Sequence, residues 1–497
     1  MKTNYLATLL SMAAAVGTAS AANPNIIFIY ADDMGSGDVS ALNPDSKFKT
    51  PMLDKIAQQG LTFTDAHTNS SVSTPSRYGV ITGRYAWRSS LKKGVLGGFS
   101  PALIEKDRPT VASMLRSEGY KTYCIGKWHL GMDGWLNQDG SNIKMPNNLN
   151  NKGEDVDYEG VRLSGPAERG FDYFYGIAGS LDMPPYLLIE NDRVIDKATH
   201  LYDGTKENRS PYGRAGWAVK DRKPSFFLSH FTDKVVETIG ENAKQKDPFF
   251  IYFALNAPHT PVAPSDEFKG KSGIGDYGDF MMEVDHRISQ IYKALEDAGV
   301  AKNTLVVISS DNGAEIGAYN RYLETGHSSS GKLKGVKRDL WEGGHRVPMF
   351  VTWGDVIKRG RKVDQTICML DFYATAADIV GHKLSDGEAP DSYSYLPLIK
   401  GKGQSERDFT IHHGVSGRFA IRKGDWVLIE TKTGHDNNLT RNNVAKYYEK
   451  RGYTETLGEG NGELFNLKND PEQRVNLYAK HPEIVAELTE KLNNSKK

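Results

Sequence analysis

The chain has 497 residues, enough for one large domain and a smaller one, and its 38% hydrophobic and 25% charged residues are typical of folded globular proteins. Lysine plus arginine and aspartate plus glutamate both number 62, so the formal net charge is zero. This balance excludes a protein drawn to nucleic acid or an acidic membrane by its overall field. The two cysteines, Cys124 and Cys368, exclude a disulfide-rich scaffold.

The first 21 residues have the pattern of a secretory signal peptide. Lys2 precedes a short apolar run over 6–16, and Ala19-Ser20-Ala21 is a small-residue cleavage pattern. The apolar run is too short to span a membrane. We therefore expect an exported protein, periplasmic or secreted, with no membrane span and a mature chain that begins near Ala22.

Continuous apolar runs along the chain predict strands that are buried on both faces. The predicted strands are 25–30, 120–125, 249–255, 305–309 and 347–351. Helices are predicted between them, at 51–59, 110–118 and 281–295. Strands that alternate with helices predict an α/β fold with a mostly parallel sheet flanked by helices.

The pattern changes near residue 400. Residues 400–407 are polar and contain glycine, as in a linker, and short strands are predicted at 409–412, 419–422 and 426–430. A final helix is predicted at 482–492, and the polar stretches 136–160 and 434–460 are predicted to be surface loops. We therefore predict a larger domain over 22–400 and a small C-terminal α+β subdomain over 401–497, with an antiparallel sheet and a packing helix.

Polar side chains follow directly after four of the predicted strands. They are Asp32, Asp33, Lys127, His129, His259, Asp311 and Asn312. Because the carboxyl ends of parallel strands meet at one edge of a sheet, we expect these side chains to lie close together. The aspartates and Asn312 are hard oxygen donors, so this edge is predicted to bind Ca²⁺ or Mg²⁺.

The segment that starts at Ser73 reads Ser-Thr-Pro-Ser-Arg-Tyr-Gly-Val-Ile-Thr-Gly-Arg. Considered alone, Ser73 suits a helix cap with Pro75 in the first turn. The segment also resembles the signature of the formylglycine-dependent sulfatases, in which Cys or Ser precedes x-Pro-Ser-Arg and, later, Thr-Gly-Arg. Further matches follow in family order at 119–129, 335–348 and 463–477. The resemblance covers almost the whole mature chain and implies an alkaline-phosphatase-like fold and a sulfuric ester hydrolase.

The resemblance also implies a mechanism. An anaerobic-type maturase would oxidise Ser73 to formylglycine before export, and the hydrated aldehyde would form a covalent sulfo-enzyme and then eliminate sulfate. Ca²⁺ would be held by Asp32, Asp33, Asp311, Asn312 and residue 73.

Further roles are implied for residues near the sulfate. Arg77 would brace the hydrated aldehyde, and Lys127 and Lys337 would neutralise sulfate oxygens. His129 would accept the proton that triggers elimination, and His259 would protonate the departing alcohol.

The implied substrate is a sulfated carbohydrate, although small sulfate esters could also be hydrolysed. Six residues in predicted loops could contact the sugar, with His345 and His412 favoured because they adjoin matched segments. The six are Asp182, Tyr186, Arg321, His327, His345 and His412. Two alternatives remain open at this stage: a phosphatase or phosphodiesterase of the same superfamily, and a sulfated-glycan-binding protein without activity.

Overall fold

The computed structural model describes residues 23–438, 440–453 and 461–497. The predicted signal peptide, 1–21, and the predicted mature N-terminus at Ala22 lie outside the described residues. Within these ranges, none of the helices combines the length and the apolar character that a bilayer crossing requires.

Strands and helices alternate along most of the chain. The strands are β1 Asn25–Asp32, β2 Leu61–Phe63, β3 Ala66–His67, β4 Lys121–Lys127, β5 Tyr173–Ile177, β6 Ile189–Glu190, β7 Arg193–Val194, β8 His200–Tyr202, β9 Gly216–Ala218, β10 Phe249–Pro258, β11 Thr304–Ser310, β12 Met349–Trp353, β13 Arg361–Val363, β14 Ile367–Cys368, β15 Phe409–His413, β16 Phe419–Lys423, β17 Trp426–Ile429 and β18 Glu463–Asn466. The helices are α1 Pro51–Gln59, α2 Ser73–Thr82, α3 Val111–Ser117, α4 Phe226–Asn242, α5 Asp276–Asp297, α6 Gly317–Thr325, α7 Glu342–His345, α8 Phe372–Val380, α9 Leu396–Lys400, α10 Val444–Lys450 and α11 Pro482–Lys496.

A ten-stranded mixed sheet forms the centre of the larger part, in the order β13-β2-β12-β11-β1-β10-β4-β5-β6-β7. Strands β11, β1, β10 and β4 are neighbours and run parallel. They are the four predicted strands whose ends carry polar residues, so the predicted common edge is confirmed. The fifth predicted strand is β12, which runs antiparallel to β11.

The two faces of the sheet bury different residues of the same strands. Along β1, Ile27 and Ile29 pack on one face, whereas Ile26 and Phe28 pack on the other. The first face is covered by α4 and α5, and α5 buries Val284, Ile288, Ile291 and Leu295 as its periodicity predicts. The second face is covered by α2, α3 and α8. The result is the predicted α/β fold with helices on both sides.

The C-terminal part contains the predicted antiparallel sheet, β15-β16-β17-β18, and α11 packs on it through Leu488 and Leu492. One prediction for this part is wrong, because the stretch 434–460 contains α10 as well as loop. Helix α10 packs three aromatic or aliphatic side chains, those of Val444, Tyr447 and Tyr448, against α6 and its surroundings. The sequence also gave no indication of α4 or of the strands β5 to β9.

Candidate active site

Ser73 lies at the start of α2, where it is only 2% exposed. The prediction that it caps the helix is wrong, because the helix begins at Ser73 itself and has no side-chain cap. Its Oγ is turned toward the sheet edge instead. There it lies 3.4 Å from Asp32 Oδ1 and 3.3 Å from Asn312 Oδ1. Helix α2 therefore delivers this hydroxyl to the predicted group of oxygen donors.

Lys127, the last residue of β4, binds the carboxylate of Asp32, the last residue of β1. Its Nζ donates to Asp32 Oδ2 at 2.8 Å and to Oδ1 at 2.9 Å, and it lies 3.5 Å from Ser73 Oγ. Burial raises the pKa of Asp32, but the positive charges of Lys127, His259 and Arg77 outweigh burial and hold the pKa well below its usual value. Asp32 is therefore an ionised carboxylate.

Asp33 binds a second lysine and an amide. Lys337 Nζ lies 2.7 Å from Asp33 Oδ1, and Asn312 Nδ2 donates to the same oxygen at 2.7 Å. His259 Nε2 lies 3.6 Å from Asp33 Oδ2, while its Nδ1 contacts Thr260 O at 2.6 Å. That contact fixes the proton on Nδ1 and leaves Nε2 facing the site.

Arg77 is completely buried and binds Asp311. Its Nε donates to Asp311 Oδ2 at 3.0 Å, and its Nη2 lies 2.8 Å from that oxygen and 3.4 Å from Asp32 Oδ1. Burial raises the pKa of Asp311, and the charges of Asp32 and Asp33 add to this effect, although Arg77 opposes it. The carboxylates of Asp32, Asp33 and Asp311 are thus each paired with a buried cation, on Lys127, Lys337 and Arg77 in that order.

His129 follows β4 and has a left-handed backbone, with φ of 56°. Its Nε2 contacts Leu96 O at 2.9 Å, so Nε2 carries the proton and Nδ1 carries the lone pair. This buried Nδ1 has no hydrogen-bond partner among the described residues. Burial, and next the charge of Lys127, hold the pKa of His129 well below its usual value. The ring is therefore neutral and able to accept a proton.

The donors fit a hard divalent cation. In a group with His259, the carboxylates of Asp32 and Asp33 have ligand atoms within 4.8 Å of one another, and these two residues supply hard oxygen donors. Oxygens bound to one Ca²⁺ at about 2.3–2.6 Å lie roughly 3 Å or more apart, as Ser73 Oγ does from Asp32 Oδ1 and Asn312 Oδ1.

The sulfatase family model matches residues 24–382, which include all of these site residues. The chain belongs to the sulfatase family. It is a sulfuric ester hydrolase, so the family predicted from the sequence motifs is confirmed.

Relatives of known activity align with this sulfatase over nearly its whole length. An N-acetylgalactosamine-6-O-sulfatase of Bacteroides thetaiotaomicron is 30% identical, over 95% of this chain and 93% of that protein. Human arylsulfatase A is 31% identical, over 94% of this chain and 86% of that protein.

Solved structures confirm the predicted fold. A sulfatase linked to glycosaminoglycan metabolism in Bacteroides thetaiotaomicron matches with a TM-score of 0.79 and 29% identity. The match covers 96% of this chain and all of that chain. A sulfatase from Pseudoalteromonas sp. matches with a TM-score of 0.72 at 22% identity, over 95% of this chain and 90% of that chain.

Two of the residues predicted to contact the sugar do not reach the surface of the sulfatase. His345 and His412 have no exposed area, so these two predictions are wrong. With His67 they form a buried group, here called the histidine cluster. His67 Nδ1 lies 3.1 Å from His345 Nδ1, and the rings of His345 and His412 stack with centroids 3.7 Å apart. Burial, and next the charge of His67, hold the pKa of His345 well below its usual value.

The other candidates also have partners in the protein. Tyr186 is buried against Tyr212, and His327 is buried against Asp38. These two side chains cannot meet a substrate from solvent.

Two candidates keep some exposed surface. Arg321 lies over the ring of Tyr277 and donates to Ser329. Asp182 pairs with Arg214, and its side chain is 23% exposed. Burial raises the pKa of Asp182, but the nearby charge of His259 and then that of Arg214 outweigh burial and lower it. Asp182 thus lies near the site and stays a prediction as a sugar contact.

Sequence reasoning missed Glu315. Its Oε2 forms an ion pair with Lys337 Nζ at 3.7 Å, and its carboxylate accepts hydrogen bonds from Arg338. Glu315 lies only three residues beyond Asn312, and Arg338 directly follows Lys337. Their position beside predicted site residues was the available signal, but it did not show that they would meet.

Proposed function

We propose that this protein is exported and removes sulfate from sulfated carbohydrates, with Ser73 converted to formylglycine beforehand by an anaerobic-type maturase. The observation that carries the proposal is the position of Ser73 Oγ, 3.3–3.5 Å from Asp32, Asn312 and Lys127. A carbohydrate substrate is supported by the relative that acts on 6-O-sulfated N-acetylgalactosamine, at 30% identity. Export is supported by the signal-peptide pattern of residues 1–21.

Conversion of Ser73 would solve a chemical problem, because an unmodified serine could capture the sulfo group but could not readily release it as sulfate. A hydrated aldehyde supplies two hydroxyls on one carbon, one to attack sulfur and one to expel sulfate. Arg77 is held by Asp311 and Asp32 behind this position. Its guanidinium charge is suited to brace an oxygen of the converted residue.

A Ca²⁺ ion, or Mg²⁺, would be held by Asp32, Asp33, Asp311, Asn312 and an oxygen of residue 73. When bound, it would orient that oxygen and lower the pKa of the attacking hydroxyl. Asp33 and Asp32 are fixed by Lys337 and Lys127, so the donors are placed before a ligand arrives.

The buried lysines can stabilise the sulfate charge, and the histidines can transfer protons. Lys127 and Lys337 lie at the ends of the donor group and can neutralise sulfate oxygens. His259 presents Nε2 and, when both of its ring nitrogens carry protons, can give the proton on Nε2 to the departing alcohol oxygen. His129 presents an unpaired Nδ1 and can take the proton whose loss releases sulfate.

Mass spectrometry after co-expression with an anaerobic-type maturase tests the proposal. The peptide that contains Ser73 is expected to lose two hydrogens, about 2 Da, as an alcohol becomes an aldehyde. The converted enzyme is expected to hydrolyse 6-sulfated N-acetylgalactosamine, and Ser73→Ala to abolish this turnover.

Ser71→Ala is the matched control for Ser73→Ala, because Ser71 Oγ is buried and has no hydrogen-bond partner among the described residues. It should leave turnover within about twofold. Full activity with an unmodified Ser73 would contradict the proposed mechanism. Faster turnover of N-acetylgalactosamine 6-phosphate than of the 6-sulfate would favour the phosphatase alternative.

A further inference from the structure

Arg338 has a backbone conformation that favours glycine. Its φ is 81°, a left-handed value that costs a side chain with a Cβ of order 1 kcal/mol or more. The conformation is held by a hydrogen bond from Arg338 N to Ser71 O, at 2.8 Å, two residues before Ser73. The chain therefore carries a long charged side chain where glycine would be less strained, and this side chain starts at the edge of the active site.

The guanidinium of Arg338 uses only part of its donor capacity. Its Nη1 donates to both oxygens of Glu315, at 3.1 and 3.2 Å. No other side-chain hydrogen bond of Arg338 is found among the described residues, so Nε and Nη2 are available. A third of the side chain, 33%, is exposed, so these donors can meet a ligand from solvent.

Glu315 ties this pair to the sulfate-binding part of the site. Its carboxylate lies 3.7 Å from Lys337 Nζ and is 18% exposed. The two segments are also joined by a backbone hydrogen bond of 2.8 Å from Lys337 N to Ala314 O. Burial raises the pKa of Glu315, but Arg338, Lys337 and His259 outweigh burial and lower it to about 2. The carboxylate is thus ionised and can accept a further hydrogen bond.

We propose that Arg338 and Glu315 form a sugar subsite that binds a vicinal pair of hydroxyls on the ring that carries the sulfate. The guanidinium would donate to one hydroxyl oxygen and the carboxylate would accept from the other. This inference rests on the proposed function, because Lys337 fixes the sulfate beside the pair.

The charge of the pair favours a neutral diol over a second anionic group. Arg338 contributes one positive charge and Glu315 one negative charge, so the subsite has no net attraction for a carboxylate or a second sulfate. An added anion would also lie close to the exposed carboxylate of Glu315, and like charges repel. A diol uses the donors and the acceptor together.

Calorimetric titration of protein made without a maturase tests the subsite independently of turnover. The probes are N-acetylgalactosamine 6-sulfate, N-acetylgalactosamine 4,6-disulfate, which lacks the diol, and phenyl sulfate, which has no hydroxyls. The parent protein should bind the 6-sulfate at least tenfold more tightly than the disulfate. Arg338→Gly should weaken binding of the 6-sulfate at least tenfold more than binding of phenyl sulfate.

Arg338→Gly should also fold well, because glycine adopts the left-handed conformation without strain. The loss of its ion pair with Glu315 offsets this gain, so we expect its Tm to lie close to that of the parent protein. Asp221→Gly is the control, since Asp221 is exposed and has a φ of 62°. It should relieve similar strain without changing the affinity for any probe. Arg338→Lys, which keeps the charge but not the planar fork, should lose most of the preference for the 6-sulfate.

The outcomes separate the two proposals. The subsite would be overturned if Arg338→Gly lost the same affinity for the 6-sulfate and for phenyl sulfate, or lost no affinity for the 6-sulfate. A parent protein that does not bind the 6-sulfate would also overturn it. Intact binding with the predicted Arg338→Gly effect, but no hydrolysis by the maturase-treated enzyme, would overturn only the proposed function.

Discussion

His129 shows how one residue can be prepared for proton transfer by its surroundings. The bond to Leu96 O fixes which ring nitrogen is protonated, and burial beside Lys127 keeps the ring neutral. The unpaired Nδ1 is left as the only basic atom of the ring. A buried acceptor without a partner lowers the stability of the folded protein. The presence of such an acceptor on His129 therefore suits a site that needs a group to take up a proton.

We expect His129→Ala to stop release of sulfate after the first chemical step. The converted enzyme should accumulate as a sulfated form, about 80 Da heavier than the hydrated aldehyde because a sulfo group replaces one hydroxyl hydrogen of the diol. Steady-state turnover should fall at least about 100-fold. Intact-protein mass spectrometry and steady-state kinetics measure both effects.

His481→Ala is the control for this change, because His481 is 37% exposed in its side chain, pairs with Glu483 at the start of α11 and packs against Trp426 on β17. It should behave as the parent enzyme does. Normal turnover by the His129 variant would refute the role proposed for the ring.

At the scale of the element, the site depends on how closely β4 and β10 pair. Gly126 has a φ of 105°, and a Cβ at this position would lie 2.0 Å from Ala254 O on β10. The glycine therefore permits the strand contact that places Lys127 at the sheet edge. Lys127 and His129 both depend on this one close approach.

Gly126→Ala should destabilise the fold by about 3 kcal/mol or more, because it adds a backbone clash to an unfavourable φ. Gly119→Ala separates the two effects, since Gly119 has a φ of 86° but no atom within 4 Å of the added Cβ. That control should cost only about 1–2 kcal/mol. Urea unfolding measures both, and equal costs would show that the close approach is unimportant.

The sequence could predict the elements that place the metal and sulfate ligands, because those strands are continuous apolar runs that stop at polar residues. β1 ends at Asp32, and β11 is followed by Asp311 and Asn312. The sugar side was not predictable in the same way. His345 adjoins a matched segment, yet it is buried against His67 of β3 and His412 of β15, and such burial depends on tertiary packing.

At the scale of the molecule, buried ion pairs join the C-terminal part to the larger part. Arg407 Nε donates to Asp371 Oδ2 at 2.6 Å, and both side chains are buried. Arg422, on β16, donates to Asp65 at 2.8 Å. The predicted boundary at residue 400 therefore lies beside contacts that each part needs, so we expect 22–400 to be unstable when it is produced alone.

Arg407→Ala should lower the free energy of unfolding by about 3–5 kcal/mol, because it leaves the Asp371 carboxylate buried without its cation. Lys491→Ala removes a surface ion pair with Asp408 and should cost at most about 1 kcal/mol. Chemical denaturation of both variants measures the difference. Similar values for the two would contradict the view that the buried pair holds the two parts together.

The histidine cluster has a consequence for the number of protons in the folded chain. His345 Nε2 lies 3.1 Å from Leu340 O and so carries a proton, whereas His67 Nε2 lies 2.9 Å from Asp65 Oδ1 and 3.2 Å from Arg422 Nη1. The two Nδ1 atoms face each other at 3.1 Å, a hydrogen-bonding distance that requires a proton between them. His345 already carries its proton on Nε2, so His67 Nδ1 is the donor of this bond. Burial holds the pKa values of His345 and His412, which stack on each other across the junction between the two parts, well below the usual value. The folded chain keeps these rings neutral whereas an unfolded chain can protonate them, so acidification below about pH 6.5 weakens the junction.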